Sequence, residues 1–281
     1  MDATTARAPR RPPGWKAPGP PPTGAEPTLG PDETVSYLTG DWRILQRRDG
    51  HRWSLDDLVT AFVAREVIVA ALGRAPRTAL DLGTGTGSVA LMLAWSFPEA
   101  EVTGVEAQAI SADLARRSIA MNGARVRLVE GDLRGHRGAA AELVTGTPPY
   151  FDDPDQPRSS AVQKGPCRFE DRGGVADYLA AAARHVAPGG RVVVCHASRQ
   201  RARVVEAFVA GGWTIERLVE VVPKVGRDAL VDVLVGRRDG AGAGAGPSAV
   251  ETLVVRDADD QWTPAFSAVR AAMGLPPRVE V

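Results

Sequence analysis

The residues best placed to do chemistry begin with Asp81-Leu82-Gly83-Thr84-Gly85-Thr86-Gly87, which closes one apolar run (Thr78 to Leu82) and opens another at Val89. Glycines in such a turn let the backbone bend sharply and approach a ligand, and the helix start that follows is electropositive. Dinucleotide-binding proteins use Gly-x-Gly-x-x-Gly at the same place. Here the spacing is Gly-x-Gly-x-Gly, and Asp81 stands at the strand end. A carboxylate is unwelcome beside a pyrophosphate but suits the cationic, amino-acid part of a ligand. Glu106, with Ala107 beside it, ends the next apolar run about 20 residues on, where a carboxylate accepts from ribose hydroxyls. Asp132, in Gly131-Asp132-Leu133, follows the run after that. It is placed to accept from an adenine amino group, with the Leu133 amide nearby. Three acids at successive strand ends line the carboxyl edge of a sheet, where open α/β sheets bind ligands.

These residues need a scaffold that alternates strand and helix, and the chain from Pro76 onward has that pattern. Strands are predicted at Thr78–Leu82, Glu101–Val105, Val126–Val129, Leu143–Thr145 and Val192–Cys195. Helices are predicted at Val89–Trp95, Ile110–Met121, Val175–Val186 and Arg203–Val209, the third stopping at Pro188-Gly189-Gly190. Ile215–Val222 and Leu230–Val235 follow with no helix between them, which predicts an antiparallel pair. The fold class is α/β: a mostly parallel, seven-stranded sheet covered on both faces, with an antiparallel late strand. Before the core, Leu58 to Val69 is a helix with Ser54 as N-cap and Asp56 and Asp57 in its first turn. The organisation is a disordered Pro-rich tail over 1–33 and a single domain over 34–281. That domain comprises an extension (34–75), a Rossmann-like core (76–237) and a C-terminal strand and helix (248–281).

The fourth strand end carries Thr147-Pro148-Pro149-Tyr150, followed by Phe151. Together with Asp81–Gly87, Glu106 and Asp132, this segment resembles the class I amino-methyltransferases that carry an Asn-Pro-Pro-Tyr motif. Within that group the chain is similar to bacterial tRNA (valine) adenine-N6 methyltransferases, over roughly residues 40–275. Leu45-Gln46-Arg47, His51 to Asp56 and Pro223 to Arg227 add to the likeness. The resemblance implies S-adenosyl-L-methionine as cofactor, held by Asp81, Gly83, Thr84, Gly85, Gly87, Glu106, Ala107, Asp132 and Leu133. It implies catalytic roles for Thr147, Pro148, Pro149 and Tyr150, and substrate contacts from Phe151, Arg168, Lys224 and Arg227. In that family the motif's Asn and the first proline's carbonyl accept the two N–H groups of the target amine, while the Tyr stacks on the extruded base. Such catalysis is mainly positioning and electrostatics. Here Thr147 stands where Asn or Asp is expected, and its hydroxyl is shorter and accepts less. Three functions therefore stand side by side: a tRNA adenine N-methyltransferase, a protein-glutamine or small-molecule methyltransferase, and an idle RNA-binding module.

Bulk composition restricts the class only loosely. The 281 residues carry 34 basic and 34 acidic side chains, so any nucleic-acid affinity must come from local patches rather than net charge. Two cysteines make no disulfide framework, and Cys195 reads as a core residue, so a reduced cytoplasmic setting is expected. His51, His136, His185 and His196 form no metal spacing, so no metal is expected. No apolar run approaches the roughly 20 residues of a membrane span.

Overall fold

The computed structural model describes residues 11–150, 173–238 and 246–278. The chain opens with a hairpin, β1 (Glu33–Thr39) and β2 (Trp42–Arg47), and helix α1 (Leu55–Leu72). The alternating core follows: β3 (Thr78–Leu82), α2 (Ser88–Ser96), β4 (Glu101–Glu106), α3 (Ala109–Asn122), β5 (Val126–Glu130) and β6 (Ala141–Gly146). After the undescribed stretch come α4 (Val175–His185), β7 (Val186–Ala197), α5 (Arg201–Ala210), β8 (Thr214–Val222), β9 (Val231–Arg237), β10 (Glu251–Val254) and α6 (Pro264–Ala272). The main sheet runs β10-β8-β9-β7-β6-β3-β4-β5, with β9 antiparallel to both its neighbours and every other pairing parallel. This is a Rossmann-like α/β fold, as the alternation predicts.

The strands' apolar runs divide residue by residue between two cores, because successive side chains point to opposite faces. Ala79, Val193, Cys195, Val233 and Val235 face α1, α2 and α6. Leu80, Val192, Val194 and Leu234 face α4 and α5, together with Trp213 and Phe208, which are fully buried.

Three features differ from the sequence-based expectation. The sheet has eight strands rather than seven, because β10 leaves the C-terminal extension to pair in parallel with β8 (Leu253 with Val221). The extension before α1 contains a hairpin, turning at Gly40 with φ 53°. Residues 11–32, assigned by composition to a disordered tail, run as coil against the domain. Arg11 pairs with Asp41 at 2.7 Å, and the Thr23 N–H donates to the Asn122 carbonyl at 3.2 Å. Proline has already lost much of its backbone freedom in the unfolded chain, so ordering a proline-rich coil on a surface costs less than composition suggests. No helix among the described residues is long and apolar enough to cross a membrane.

Helix α3 fastens the hairpin to the core with side chains. Asn122 accepts from the Arg43 N–H (2.9 Å) through its Oδ1 and donates to the Arg43 carbonyl (2.7 Å) through its amide, while Ser118 Oγ accepts from the Leu45 N–H at 2.9 Å. Those bonds satisfy the outer edge of β2, which would otherwise offer unpaired backbone groups. Asn122→Ala leaves buried partners unsatisfied and is expected to lower stability by about 1–3 kcal/mol, measured as a shift in the urea midpoint with an unchanged slope.

Candidate active site

The carboxyl ends of β3, β4, β5 and β6 open onto a cleft, the place where open α/β sheets bind ligands. Its lining includes Gly83, Thr84, Gly85 and Thr86 from the glycine turn, Glu106 and Ala107 after β4, and Asp132 and Leu133 after β5. Thr147 and Pro149 reach it from the end of β6. The sheet order thus brings together the ends of four strands that are well separated in sequence.

The glycine turn is shaped by more than the absence of side chains. Gly83 has φ 63°, and a Cβ there would lie 2.1 Å from Tyr178 Oη. Gly85, at φ 59°, meets nothing within 4 Å, so its bare backbone faces open space where a ligand can approach. Gly87 caps α2 with φ 91° and does not itself line the cleft. Glu106, 6% exposed, is held by the Gly85 N–H on Oε2 (2.8 Å) and the Gln108 N–H on Oε1 (2.7 Å). These two backbone donors fix the orientation of the carboxylate where it lines the cleft. Asp132 is bound by Arg134, whose backbone N–H and side chain both donate to it, the closest contact being Nη2 to Oδ2 at 2.5 Å. The two side chains are 39% and 49% exposed, a pair worth about 0–1 kcal/mol that a ligand can displace.

Asp81 lies beneath the cleft. Its carboxylate is 2% exposed and is not among the residues that line the cleft. Oδ2 accepts from Thr84 Oγ1 (2.6 Å) and Oδ1 from Thr145 Oγ1 (2.7 Å). Burial is the largest influence on it and pushes its pKa up to about 6 against those hydrogen bonds. In this geometry the residue holds the glycine turn to the end of β6.

Asp57, Ser88, His51 and Tyr178 also line the cleft and were not singled out as site residues. Asp57 accepts from the Ser54 N–H (2.8 Å) and from Ser88 Oγ (2.7 Å). Burial, then the neighbouring Asp56 charge, pushes its carboxyl up to about 8. The sequence signal was present in the two acids after Ser54, which helix-capping logic assigned to a solvated first turn. Tyr178 carries no local signal; its place follows from α4 packing over Gly83 and Gly146.

The Pro-Pro-Tyr segment divides between two cavities. Pro148 is buried and lines neither. Tyr150 donates through its hydroxyl to Asp56 Oδ2 (2.9 Å), its ring lies 5.1 Å from that of His196, and Cys195 Sγ is 3.7 Å from the hydroxyl. Tyr150 also lines a second, mainly apolar recess with Leu55, Ala197, Arg199, Leu230 and Val231. Lys224 and Arg227 sit on the β8–β9 turn and line neither cavity; Lys224 pairs with Asp260 at 3.5 Å. Phe151 and Arg168 lie outside the described residues.

With this geometry in hand, comparison with known proteins is informative. A family model described as the methyltransferase small domain matches residues 60–165, the stretch that supplies the glycine turn, Glu106, Asp132 and the Pro-Pro-Tyr segment. This chain carries a class I methyltransferase fold. It is 32% identical to a release factor glutamine methyltransferase of Bordetella pertussis, over 58% of this chain and 64% of that protein. It is 28% identical to a tRNA1(Val) (adenine(37)-N6)-methyltransferase of Tolumonas auensis, over 70% of this chain and 81% of that protein. Several other curated relatives are spanned over only about half their length. In structure it is similar to a predicted O-methyltransferase from Agrobacterium tumefaciens, with TM-score 0.56 and 19% identity over 78% of this chain and 98% of that one.

The raised carboxyl of Asp57 has a consequence for stability. Between the unfolded aspartate value near 3.8 and the folded value near 8, the native state binds the extra proton, so unfolding releases it and is favoured by rising pH. Asp57→Asn removes that term. Across pH 5–9 the stability of Asp57→Asn relative to wild type is expected to climb until about pH 8 and then level off, read from paired thermal unfolding curves.

Proposed function

We propose that this protein transfers a methyl group from S-adenosyl-L-methionine to a planar amino nitrogen, the exocyclic amine of an adenine in tRNA. The observation that carries the reading is the acidic lining of the cleft. Glu106 and Asp132 line it, the latter paired with Arg134; Asp57 adds a third acid that burial keeps protonated up to about pH 8, and among the described lining residues there is no lysine or arginine. A dinucleotide pyrophosphate would be repelled there, whereas a ligand bearing a sulfonium and an ammonium is drawn in. The residues fit that ligand: the bare Gly85 backbone gives it room, and Glu106 is fixed by two backbone N–H groups at the place where a carboxylate would accept from ribose hydroxyls. Asp132 and the Leu133 amide would hold the adenine. When bound, S-adenosyl-L-methionine supplies an electrophilic methyl group.

The protein's own part is to hold and orient the acceptor. An adenine amine is a weak nucleophile because its lone pair is delocalised into the ring. The Thr147 hydroxyl and the Pro148 carbonyl are the acceptors that would take its N–H groups and turn the lone pair toward the methyl. Tyr150, fixed through its hydroxyl to Asp56, forms one wall of the second recess against which a flipped base can lie, with Arg199 at the rim. The longer match, over 81% of the Tolumonas auensis protein, supports tRNA as the acceptor. A second reading, a glutamine side-chain amide in a protein, is supported by the likeness to the Bordetella pertussis enzyme; that nitrogen is also planar and delocalised.

The test is methyl transfer from labelled S-adenosyl-L-methionine into total RNA and, separately, total protein from cells lacking this chain. Label appearing as N6-methyladenosine in the tRNA fraction is the expected result. Label recovered as N5-methylglutamine in the protein fraction, with RNA unlabelled, would replace the tRNA reading with the amide one.

A further inference from the structure

Asp57 is a carboxyl of the cleft that the roles above leave unused. It stands in the first turn of α1, and its two oxygens are tied to Ser54 and to Ser88, the first residue of α2. It therefore sits against the far end of the glycine turn. The sheet order β6-β3-β4-β5 sets the ligand's direction. Adenosine held by Asp132 beyond β5 and Glu106 at β4 leaves the rest of the molecule to run along the β3 turn toward Thr147 at β6. Helix α1 packs on the β6–β7 side of the sheet, so Asp57 meets the ligand at that end. Asp81, the other acid near the turn, is committed to Thr84 and Thr145.

We infer that Asp57 is the counter-ion of the α-ammonium group of S-adenosyl-L-methionine, and that it releases its proton to solvent when that cation binds. The inference rests on the methyl-donor reading above. Its physical basis is the surroundings of the carboxyl. Asp56 on the same helix and Asp81 on β3 place like charge near it, and burial disfavours ionisation further. From β7, Cys195 faces it as a thiol that burial keeps protonated, and His51 lines the cleft from the segment before α1. Among the described lining residues there is no lysine or arginine, and a cationic ligand would supply the opposite charge that stabilises an ionised Asp57. The balance is simple: a neutral carboxyl and an ammonium become a carboxylate–ammonium pair, and one proton passes to buffer. No bond of the ligand is broken.

Isothermal titration of the full chain with S-adenosyl-L-methionine at pH 6.5, in two buffers of different ionisation enthalpy, reads that proton directly. At this pH the ligand's α-amino group, with a reference pKa of about 7.7–8.0, is already protonated and contributes little. Wild type is expected to release close to one proton per ligand, whereas Asp57→Asn releases none and binds roughly tenfold more weakly, the equivalent of about one pKa unit. 5′-Methylthioadenosine, which lacks the amino-acid part, is expected to release no proton and to bind both proteins alike, which also reports that the variant's cleft is intact. Tight binding of S-adenosyl-L-methionine by wild type without proton release overturns the inference, and needs no variant. Undiminished release from Asp57→Asn overturns it too. If wild type binds 5′-methylthioadenosine and S-adenosyl-L-methionine not at all, the donor reading itself falls and the inference with it.

Discussion

Beneath the cleft, the Asp81 carboxylate accepts a hydrogen bond from Thr84 on one oxygen and from Thr145 on the other. Thr84 belongs to the turn after β3 and Thr145 to the end of β6, two positions before Thr147. One buried group thus ties the glycine turn to the segment that carries Thr147. Burying a carboxyl is costly, and here burial outweighs the neutral donors that meet the charge, the Thr84 and Thr145 hydroxyls and the Ala90 backbone, so its proton affinity rises. The same turn is joined to β4 by the Thr84 N–H on the Val105 carbonyl (2.9 Å) and by the Gly85 N–H on Glu106. Glu106, the glycine turn and the end of β6 therefore form one hydrogen-bonded unit, and a disturbance at Asp81 reaches all three.

A second network, on the α1 side, repeats the device. Asp56 and Asp57 are adjacent in sequence but serve different cavities: Asp56 takes the Tyr150 hydroxyl, and Asp57 takes Ser88 at the start of α2. The helix N-terminus supplies a favourable field for both. The segment preceding the core is thereby an integral wall of the site, positioned by α1 packing over the sheet and by α3 holding the hairpin.

The parts of this account that were legible in the sequence are those in which one residue type has one physical use. Gly83 and Gly85 need positive φ, the apolar runs need two covered faces, and Glu106 and Asp132 follow their strands at fixed offsets. What was not legible depended on side-chain direction. Asp81 ends its strand like the other two acids, but its partners Thr84 and Thr145 turn it inward, a choice set by a hydroxyl 64 residues away. Asp57 carries the local signature of a helix first turn, and only the packing of α1 against α2 buries it. The β1–β2 hairpin was hidden because its buried apolar residues, Val35, Leu38, Trp42, Ile44 and Leu45, do not alternate regularly, and its outer edge is satisfied by α3 side chains distant in sequence. β10 contributes four residues at an edge, too few for a pattern to say which sheet they join.

The central claim is that the carboxyl edge of this sheet is an acid-lined site for an adenosyl cation rather than a dinucleotide. Its most direct test is competition at equilibrium, following tryptophan fluorescence of the full chain titrated with S-adenosyl-L-methionine and with NADH. The account predicts saturable binding of S-adenosyl-L-methionine that is lost in Glu106→Ala, and no binding of NADH. Saturable NADH binding at the same site, with S-adenosyl-L-methionine failing to displace it, would contradict the account.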